Sequence, residues 1–561
     1  MLRTKIVTSL EKAFIDQKID EFATLEKITA LRGEQLSVQL LCTYDRTNGD
    51  FMHASIRPKL NVEGELSKYA TLREVQSVPV TKPINNAGTD DNYLRTTPGL
   101  YPDVLLPLRY NGGVRIAMDY LTSVWVEIKI PEDFAAGEYE LKFSIEDKEY
   151  TFGSSETTVK IEVIDAVLPK EDVYVTQWFH SDCLANYYGC EVWSDEHWRI
   201  VENFARVAVK NGINLLLTPV FTPPLDTAVG GERRTTQLVG VTRKKQRNGS
   251  YAYKFNFDLV DRWVDMCDRV GIKYFEISHL FTQWGAAHAP KIMATECKQY
   301  KQIFGWDTEA TGEEYKTFIR AFLTEFVAHM KKRGDDKRCI YHVSDEPGLV
   351  HLEAYKAAKE IIADIIDGYM QVDALSKFDF YQTGAIKHPI PSNNHIEPFL
   401  EAKIPGLWTY YCVSQPINVS NRYISMPLWR TRSLGMQMFK YNIEGFLQWG
   451  YNFYNNQYSV DPINPYIITD CDLVFPAGDA YSVYPAPNGE AYESIRIISF
   501  FEGLQDIKAM KLCESLYSHD EVVAAIEEEL GVTMTFETCA KSSDAMYRIR
   551  ERVNKMIKER I

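Results

Sequence analysis

The chain has 561 residues, 45% of them hydrophobic and 25% charged, and a formal net charge of −15. This composition is typical of a globular protein, and the length exceeds what one hydrophobic core usually supports, so we expect two or three domains. Because no basic surplus exists to neutralise phosphates, the charge excludes nucleic acid and anionic membranes as main partners.

The sequence contains no apolar segment of signal-peptide or membrane-spanning length, which predicts a cytoplasmic protein without membrane insertion. If a signal peptide was removed before the printed sequence begins, a secreted protein is expected instead. The ten cysteines are irregularly spaced and form no CxxC pair. We therefore expect reduced, mostly buried thiols rather than a disulfide framework.

The first part of the chain, residues 1–168, consists of short strand patterns separated by turn residues. This arrangement predicts an N-terminal antiparallel β-sandwich. The clearest strand patterns are at residues 35–41, 123–130, 138–145 and 157–164. Residues 94–108 contain three prolines and a glycine, and they are predicted to form an ordered crossing loop rather than a strand.

The second part, residues 169–561, alternates strand patterns with amphipathic helix patterns, which indicates parallel βα units. Barrel strands are predicted at residues 173–179, 214–217, 274–278, 339–343, 378–382, 406–411 and 445–451, with the eighth at 472–476 or 482–485. Helices are predicted at residues 196–210, 259–270, 313–332, 350–366, 426–441, 494–510, 518–529 and 543–561. The sequence therefore predicts a (β/α)8 TIM-type barrel with C-terminal helices.

Two adjacent acids end the fourth predicted barrel strand. Asp345 and Glu346 follow a short run of buried-type residues and precede Pro347. Pro347 is expected to hold Glu346 in an extended conformation and to delay the next helix. Active-site residues of barrels collect at the carboxyl ends of the strands, so we interpret the pair as catalytic. The alternative is a solvated turn or a charge pair at a helix start.

Aromatic and polar residues lie at the ends of several other predicted strands. Flat apolar rings beside carboxylates are typical of a sugar-binding site. Each residue alone is more often structural, because a lone histidine or a strand tryptophan usually belongs to the core. Trp449 is the strongest aromatic candidate, since Gly450 leaves space beside it. The candidate substrate-binding residues are Trp178, His180, His279, Tyr381, Trp408, Tyr410, Tyr411, Trp449, Tyr451 and Asn452.

Several motifs spread over the chain resemble one known family. They are Ser-Asp-Glu-Pro at residues 344–347, Tyr-Pro-Asp-Val-Leu-Leu-Pro-Leu at 101–108, Trp-Val-Glu at 125–127, Ala-Gly-Glu-Tyr at 136–139, Tyr-Pro-Ala-Pro-Asn-Gly at 484–489, Ser-Ile-Arg at 494–496 and Glu-Gly-Leu-Gln-Asp at 502–506. Together they resemble glycoside hydrolase family 123 and the related proteins that share its catalytic domain.

This resemblance implies a β-sandwich followed by a (β/α)8 barrel. It also implies an exo-acting β-N-acetylgalactosaminidase that releases terminal β-linked N-acetylgalactosamine from oligosaccharide or glycolipid glycans. The implied mechanism is retaining and substrate-assisted, with an oxazoline intermediate. Glu346 would be the general acid/base, and Asp345 would orient the 2-acetamido group. The residues agree, because adjacent acids are poorly placed to flank an anomeric carbon at the roughly 5 Å separation of a conventional retaining pair. Tyr410 or Tyr411 is expected to hold the acetamide oxygen.

Two alternatives remain open from the residues alone. One is a barrel glycosidase of other sugar specificity with conventional carboxylates, one of them Asp182 or Glu276. The other is a non-catalytic carbohydrate-binding protein, because a fold does not fix function. No metal, nucleotide or redox cofactor is expected, and no phosphate-binding glycine loop is present in the sequence. The oligomeric state and the preference between galacto and gluco sugars stay open.

Overall fold

A computed structural model describes residues 2–44, 55–108, 112–147, 153–171 and 173–561. Over these residues a two-sheet sandwich precedes a parallel barrel, and helices end the chain. Within the described ranges, every helix is too short or too polar to cross a bilayer.

Eleven strands lie in the described part of the sandwich region. They are β1 (Leu2–Thr8), β2 (Lys27–Arg32), β3 (Gln35–Tyr44), β4 (Ser55–Ile56), β5 (Lys59–Glu63), β6 (Ala70–Val80), β7 (Gly99–Pro107), β8 (Ile116–Ala117), β9 (Thr122–Lys129), β10 (Gly137–Asp147) and β11 (Gly153–Val167). One sheet has the order β1-β3-β9-β6-β7 and the other β2-β11-β10-β5, with β4 and β8 as a separate pair. Neighbours are antiparallel except β2 and β11. Val38, Val126, Leu141 and Ile161 belong to the core of this region.

The prediction of a crossing loop at residues 94–108 is wrong, because strand β7 forms there. It is the edge strand of its sheet, where it pairs with β6, and Val104 also forms an isolated bridge with Ser494. Pro102 sits where the register shifts, and edge strands and bulges are the places where a sheet tolerates proline. Tyr101, Val104 and Leu105 are buried in the core shared with the barrel. The strand therefore joins the two parts of the molecule.

The remaining strands form the barrel, an inserted sheet and a hairpin. They are β12 (Tyr174–Gln177), β13 (Leu215–Thr218), β14 (Gly240–Lys245), β15 (Tyr251–Asn256), β16 (Tyr274–Ile277), β17 (Ile292–Glu296), β18 (Gln299–Phe304), β19 (Cys339–Tyr341), β20 (Met370–Ala374), β21 (His388–Ile390), β22 (Trp408–Tyr410), β23 (Gly445–Gln448), β24 (Val483–Pro485) and β25 (Ala491–Glu493). The barrel order is β21-β20-β19-β16-β13-β12-β23-β22, all parallel, and a bridge between Ser392 and Tyr410 nearly closes it. Leu215, Ile340 and Leu447 help to fill its interior.

Eleven α-helices accompany these strands in the described ranges. They are α1 (Ser181–Tyr188), α2 (Asp195–Lys210), α3 (Asp258–Val270), α4 (Glu313–Arg333), α5 (Leu352–Glu360), α6 (Asp379–Gln382), α7 (Glu397–Glu401), α8 (Leu428–Lys440), α9 (Ile495–Leu516), α10 (His519–Leu530) and α11 (Ser543–Arg560). Serine N-caps start α2, α9, α10 and α11, each accepting a backbone N–H. The predicted fold class, a sandwich followed by a (β/α)8-type barrel with C-terminal helices, is confirmed.

The predictions for the fifth and the eighth barrel strands are wrong. The segment predicted as the fifth strand, 378–382, contains the short helix α6, and the fifth and sixth barrel strands are β20 and β21. The segments predicted as sixth and seventh are therefore the seventh and eighth. Neither candidate for an eighth strand joins the barrel, since 472–476 has no strand and β24 pairs with β25 in a hairpin.

An inserted four-stranded sheet, in the order β15-β14-β17-β18, comes from the long segments after β13 and β16. It packs on α4, where the rings of Tyr253 and Phe318 lie 5.0 Å apart. The same segments carry residues that line the cavity described below.

Buried polar contacts join the sandwich to the C-terminal helices. Asp103 of β7 accepts hydrogen bonds from Arg496 Nε at 2.7 Å and Nη2 at 2.9 Å, and neither side chain is exposed. Arg550 of α11 pairs with Glu34 at 2.8 Å. The predicted boundary at residue 168 falls in the segment between β11 and β12.

Candidate active site

A cavity of about 180 Å³ opens at the carboxyl ends of the barrel strands. Its polar lining consists of Asp226, Gln283, Asp345, Glu346 and Gln457. The aromatic and aliphatic lining includes Trp178, Leu225, Trp284, Ala374, Tyr410, Val413, Leu447, Trp449, Tyr458 and Phe475. Acids and rings predicted from separate strands therefore meet in one place.

The two adjacent acids lie on the rim of this cavity, beyond the end of β19. Asp345 is half-buried and Glu346 is exposed to the cavity. The expectation of an extended Glu346 is wrong, since its φ is +42°. Its backbone N–H donates to the carbonyl oxygen of Ala374 at 3.0 Å, which ties the residue to the end of β20. This tertiary bond overrides the preference that Pro347 imposes.

Tyr410 contacts the second acid directly. Its hydroxyl donates to Glu346 Oε1 at 2.6 Å, and the ring is buried in the cavity wall. Successive residues of a strand point to opposite faces. Tyr411 accordingly packs outward against Phe446, with ring centroids 4.8 Å apart, and its hydroxyl has no hydrogen-bond partner among the described residues.

The two carboxyl groups have perturbed titration. Burial raises the pKa of Asp345 well above its ordinary value, and the charge of Glu346 raises it further. Burial also raises the pKa of Glu346, while the hydrogen bond from Tyr410 acts in the opposite direction. Because Glu346 is exposed to water in the cavity, screening weakens the effect on this residue. Two acids so close titrate as a pair, in two separate steps. Between these two steps the pair holds a single shared proton.

A buried charged cluster lies beneath the pair. His342 Nε2 is 2.7 Å from Glu276 Oε1, and His342 Nδ1 is 3.2 Å from Asp373 Oδ1. Burial opposes a charge on His342, but the hydrogen bonds to these carboxylates outweigh it and raise its pKa to about 10. Trp178 Nε1 donates to Glu276 Oε1 at 2.8 Å, so the cluster also orients a ring of the cavity wall.

Asp373 links this cluster to the backbone that leads into the acidic pair. Its Oδ1 accepts the N–H groups of Val343 at 2.9 Å and Ser344 at 3.3 Å. Its Oδ2 accepts the Tyr355 hydroxyl. Residues 343 and 344 are thus fixed immediately before Asp345.

The sequence matches the model of the glycoside hydrolase 123 catalytic domain over residues 178–513, more than half of the chain. The chain belongs to glycoside hydrolase family 123. The resemblance found in the motifs is confirmed, and the protein is a glycoside hydrolase that acts on a carbohydrate substrate.

The structure is similar to that of a family 123 glycoside hydrolase from Clostridium perfringens, described for glycolipid glycan hydrolysis. The TM-score is 0.75 at 15% identity, covering 100% of this chain and 98% of that one. At this identity the likeness shows the fold alone. Two β-glucuronidases give scores too low to carry an argument. The Bacteroides uniformis enzyme has a TM-score of 0.30 at 9% identity over 86% of this chain and 48% of its own. The Ruminococcus gnavus enzyme has a TM-score of 0.29 at 8% identity, covering 89% of this chain and 68% of its own. A search of curated proteins finds no match.

Among the predicted aromatics of this family 123 enzyme, Trp178 and Trp449 line the cavity with Tyr410. Trp449 Nε1 donates to Asp479 Oδ2 at 2.8 Å, which fixes the ring. Gly450 does not leave open space, because a Cβ there would lie 2.2 Å from the carbonyl oxygen of Ala480. The glycine instead permits close approach of the chain behind Trp449.

Several predicted residues support the cavity without lining it. His180 lies between Arg233 Nη2 at 2.7 Å and the carbonyl oxygen of Trp449 at 2.8 Å. Asn452 exchanges hydrogen bonds with the His180 backbone at 2.8 and 3.1 Å. The Tyr451 hydroxyl donates to the carbonyl oxygen of Phe204 at 2.9 Å. These residues brace the loop that carries Trp449.

Two more predicted aromatics lie away from the cavity. Tyr381 lies on helix α6 rather than at the end of a barrel strand, and its ring packs against that of Phe378. Trp408 begins β22 and stacks on Tyr174 with centroids 5.1 Å apart, at the opposite end of that strand from Tyr410.

The acids of the alternative mechanism are both engaged elsewhere. Asp182 is buried and accepts Arg233 Nε at 2.7 Å and Nη2 at 2.9 Å. Glu276 accepts from Trp178 and contacts His342. Neither carboxyl lines the cavity, which leaves them poorly suited to attack a sugar there.

His279, His342 and Asp373 have ligand atoms within 4.8 Å of one another, a spacing that could hold a metal ion. Both ring nitrogens of His342 already contact carboxylates, and its raised pKa keeps it protonated. A metal ligand must be deprotonated. Burial and the charge of His342 lower the pKa of His279 well below its usual value, so His279 stays neutral against the charged ring.

The cavity residues that the sequence did not predict include Asp226, Gln283, Trp284, Gln457 and Tyr458. These five lie in the long segments after β13, β16 and β23. No periodic pattern marks such segments, so only their closeness in space reveals them.

Proposed function

We propose that this enzyme releases terminal β-linked N-acetylgalactosamine from glycans with retention of configuration, using the acetamide oxygen of the substrate as nucleophile. The observation that carries the proposal is the pair Asp345 and Glu346 on one rim of the cavity. A conventional retaining pair must approach the anomeric carbon from opposite sides. Neighbouring residues on one rim suit a mechanism in which the substrate supplies the second group.

In the first step, the acetamide oxygen attacks the anomeric carbon while Glu346 donates its proton to the departing glycosidic oxygen. The raised pKa of Glu346 supports this role, because a general acid must hold its proton near the working pH. Tyr410 donates to the same carboxyl and orients it. In the second step, the Glu346 carboxylate takes a proton from the water that opens the oxazoline.

Asp345 would accept the acetamide N–H and stabilise the positive charge that develops on the ring being formed. A preorganised group aimed at developing charge is often the largest single contribution to catalysis. The backbone bonds from residues 343 and 344 to Asp373 hold the approach to Asp345 in place.

The cavity walls suit a single terminal sugar. Trp178 and Trp449 offer flat faces, and Leu447 and Ala374 come from the barrel strands beneath. Trp284 and Tyr458 are 41% and 39% exposed, with ring centroids 6.3 Å apart. They would contact the leaving group. The glycolipid glycan hydrolysis described for the Clostridium perfringens relative supports proposing glycolipid or oligosaccharide glycans as substrates.

The test compares aryl β-glycosides of N-acetylgalactosamine, N-acetylglucosamine, galactose and glucose. We expect cleavage of the N-acetylgalactosaminide, release of the β-anomer first, and competitive inhibition by a thiazoline mimic of the oxazoline. Comparable kcat/KM on the galactoside, which lacks the acetamide, would contradict the proposal.

A further inference from the structure

A third carboxyl group, Asp226, lines the same cavity. It lies in the segment that follows β13. In the barrel, β13 is two strands away from β19, and Asp345 lies at the end of β19. The proposed mechanism assigns it no task. It is half-buried among apolar and aromatic neighbours that include Leu225 and Phe475.

The protein holds Asp226 through its backbone and one carboxylate oxygen. Its N–H donates to Gln283 Oε1 at 2.8 Å, and its carbonyl oxygen accepts the Ser459 hydroxyl at 2.9 Å. Oδ2 accepts the N–H of Tyr458 at 3.1 Å. No hydrogen bond from a residue that the structure describes reaches Oδ1. One oxygen is therefore fixed, and the other is available to a ligand in the cavity.

The segments that meet at Asp226 are conformationally unusual. Asp226, Tyr458 and Ser459 have φ values of +41°, +60° and +55°, in the left-handed region that side chains rarely adopt. Such conformations persist where surrounding contacts determine them, and they concentrate at ligand-binding sites. Here two of the contacts are the hydrogen bonds of Tyr458 and Ser459 to Asp226 itself.

The carboxylate oxygen Oδ1 of Asp226 has no described protein donor, so a ligand in the cavity can donate a hydrogen bond to it. Glu346 and Asp345 are assigned to the anomeric carbon and the 2-acetamido group. The remaining donors of the sugar are its hydroxyl groups at positions 3, 4 and 6. We propose that Asp226 binds one of these hydroxyls and thereby sets which terminal sugar the enzyme accepts, an inference that rests on the function proposed above.

A site built around a hydroxyl discriminates strongly against a sugar that lacks it, because the protein acceptor is left unpaired. Position 4 alone distinguishes galacto from gluco sugars. If Asp226 binds that hydroxyl, it decides this preference. If Asp226 binds the hydroxyl at position 3 or 6, it determines whether the enzyme accepts a sugar that carries a substituent at that position.

The experiment combines Asp226→Asn with aryl N-acetylgalactosaminides lacking the hydroxyl at position 3, 4 or 6. On the parent substrate we expect the variant to lose on the order of 10- to 100-fold in kcat/KM, as for a lost hydrogen bond to a charged group. On the analogue that lacks the contacted hydroxyl, wild type and variant should be equally slow. Asp461→Asn, an exposed acid in the segment that carries Tyr458, is the matched control and should match wild type on all substrates.

Two outcomes would overturn the inference. An equal loss on every analogue with a lowered melting temperature would make Asp226 a structural residue. An equal loss that azide restores, with formation of a glycosyl azide, would make it a conventional nucleophile, and the proposed substrate-assisted function would fall with it. If wild type cleaves no N-acetylhexosaminide at all, the proposed function fails regardless of Asp226.

A measurement on the wild type keeps the inference testable if the variant does not fold. Free N-acetylgalactosamine and its three deoxy forms are compared as competitive inhibitors. One deoxy form should bind about tenfold or more weakly than the others. Equal inhibition by all three would overturn the inference.

Discussion

Asp345 and Glu346 are joined by one peptide bond, yet the structure gives them different surroundings. Asp345 is half-buried above His342, and Glu346 is open to the cavity and bonded to Tyr410. Burial and the charge of Glu346 raise the pKa of Asp345, and the charged His342 opposes this shift. This difference fits two separate roles for chemically similar groups.

The acids are tested by Glu346→Gln and Asp345→Asn. Each should lower kcat by on the order of 100-fold or more, because one removes general acid catalysis and the other removes charge stabilisation. The measurement uses a substrate with a poor leaving group, which needs its proton most. A near-normal rate in either variant would refute the assigned roles.

The pH dependence follows from the raised pKa values of the pair. We expect a bell-shaped profile of kcat/KM, since activity requires one shared proton. The rate falls on the acid side when both carboxyls are protonated and on the alkaline side when both are ionised. Asp345→Asn leaves Glu346 as the one titrating carboxyl of the pair, so the acid limb that the pair produces should disappear. A profile identical to wild type would speak against a coupled pair.

Tyr410 and Tyr411 form a matched pair for substitution by phenylalanine. Tyr410→Phe removes the hydrogen bond that lowers the pKa of Glu346, so the alkaline limb should move to higher pH and kcat should fall by about tenfold. Tyr411→Phe removes a hydroxyl without a described partner and should leave the profile unchanged. Equal effects of the two variants would rule out a specific role for Tyr410.

At the scale of elements, the chain behind Trp449 depends on close backbone approach at Gly450. Gly450→Ala would place a Cβ 2.2 Å from the Ala480 carbonyl oxygen, so the backbone must move. We expect a loss of about 1–3 kcal/mol in the free energy of unfolding, measured by urea denaturation. Gly99→Ala is the control, since its Cβ would meet no atom closer than 4.0 Å, and it should change stability by less than about 0.5 kcal/mol.

The elements that the sequence predicts correctly have strong local patterns. The strands β13 and β23 and the capped helix α2 are of this kind, and so is the end of β19 that carries the acids. Strands β20 and β21 have no such pattern, because Asp373 and His388 interrupt their short apolar runs. The alternating aromatic residues at 378–382 match a strand pattern more closely than the sequence of β20 or of β21 does.

The cavity residues, too, can be predicted from the sequence only where a local pattern leads to them. Asp345 and Glu346 could be found because a strand leads directly to them. Asp226 could not, because its position depends on contacts with Gln283 and Tyr458, which are distant in the chain. His180 and Tyr451 follow the ends of β12 and β23, as the sequence predicts, yet their side chains form hydrogen bonds behind the cavity wall.

At the scale of the whole molecule, the sandwich and barrel should unfold together. Asp103→Asn would leave Arg496 with a weakened partner in a fully buried position. Breaking one side of such a pair costs about 3–5 kcal/mol. We expect one cooperative calorimetric transition in wild type and a lower melting temperature in the variant. Two independent transitions in wild type would contradict the coupling.

The buried ion pairs between the sandwich and the C-terminal helices also limit where the chain can be divided. A barrel cut free at residue 169 would present Arg496 and Arg550 to water without Asp103 and Glu34, together with apolar surface that strand β7 now covers. We therefore expect the barrel of this enzyme not to fold as a separate module. An engineered fusion should carry the sandwich together with the barrel.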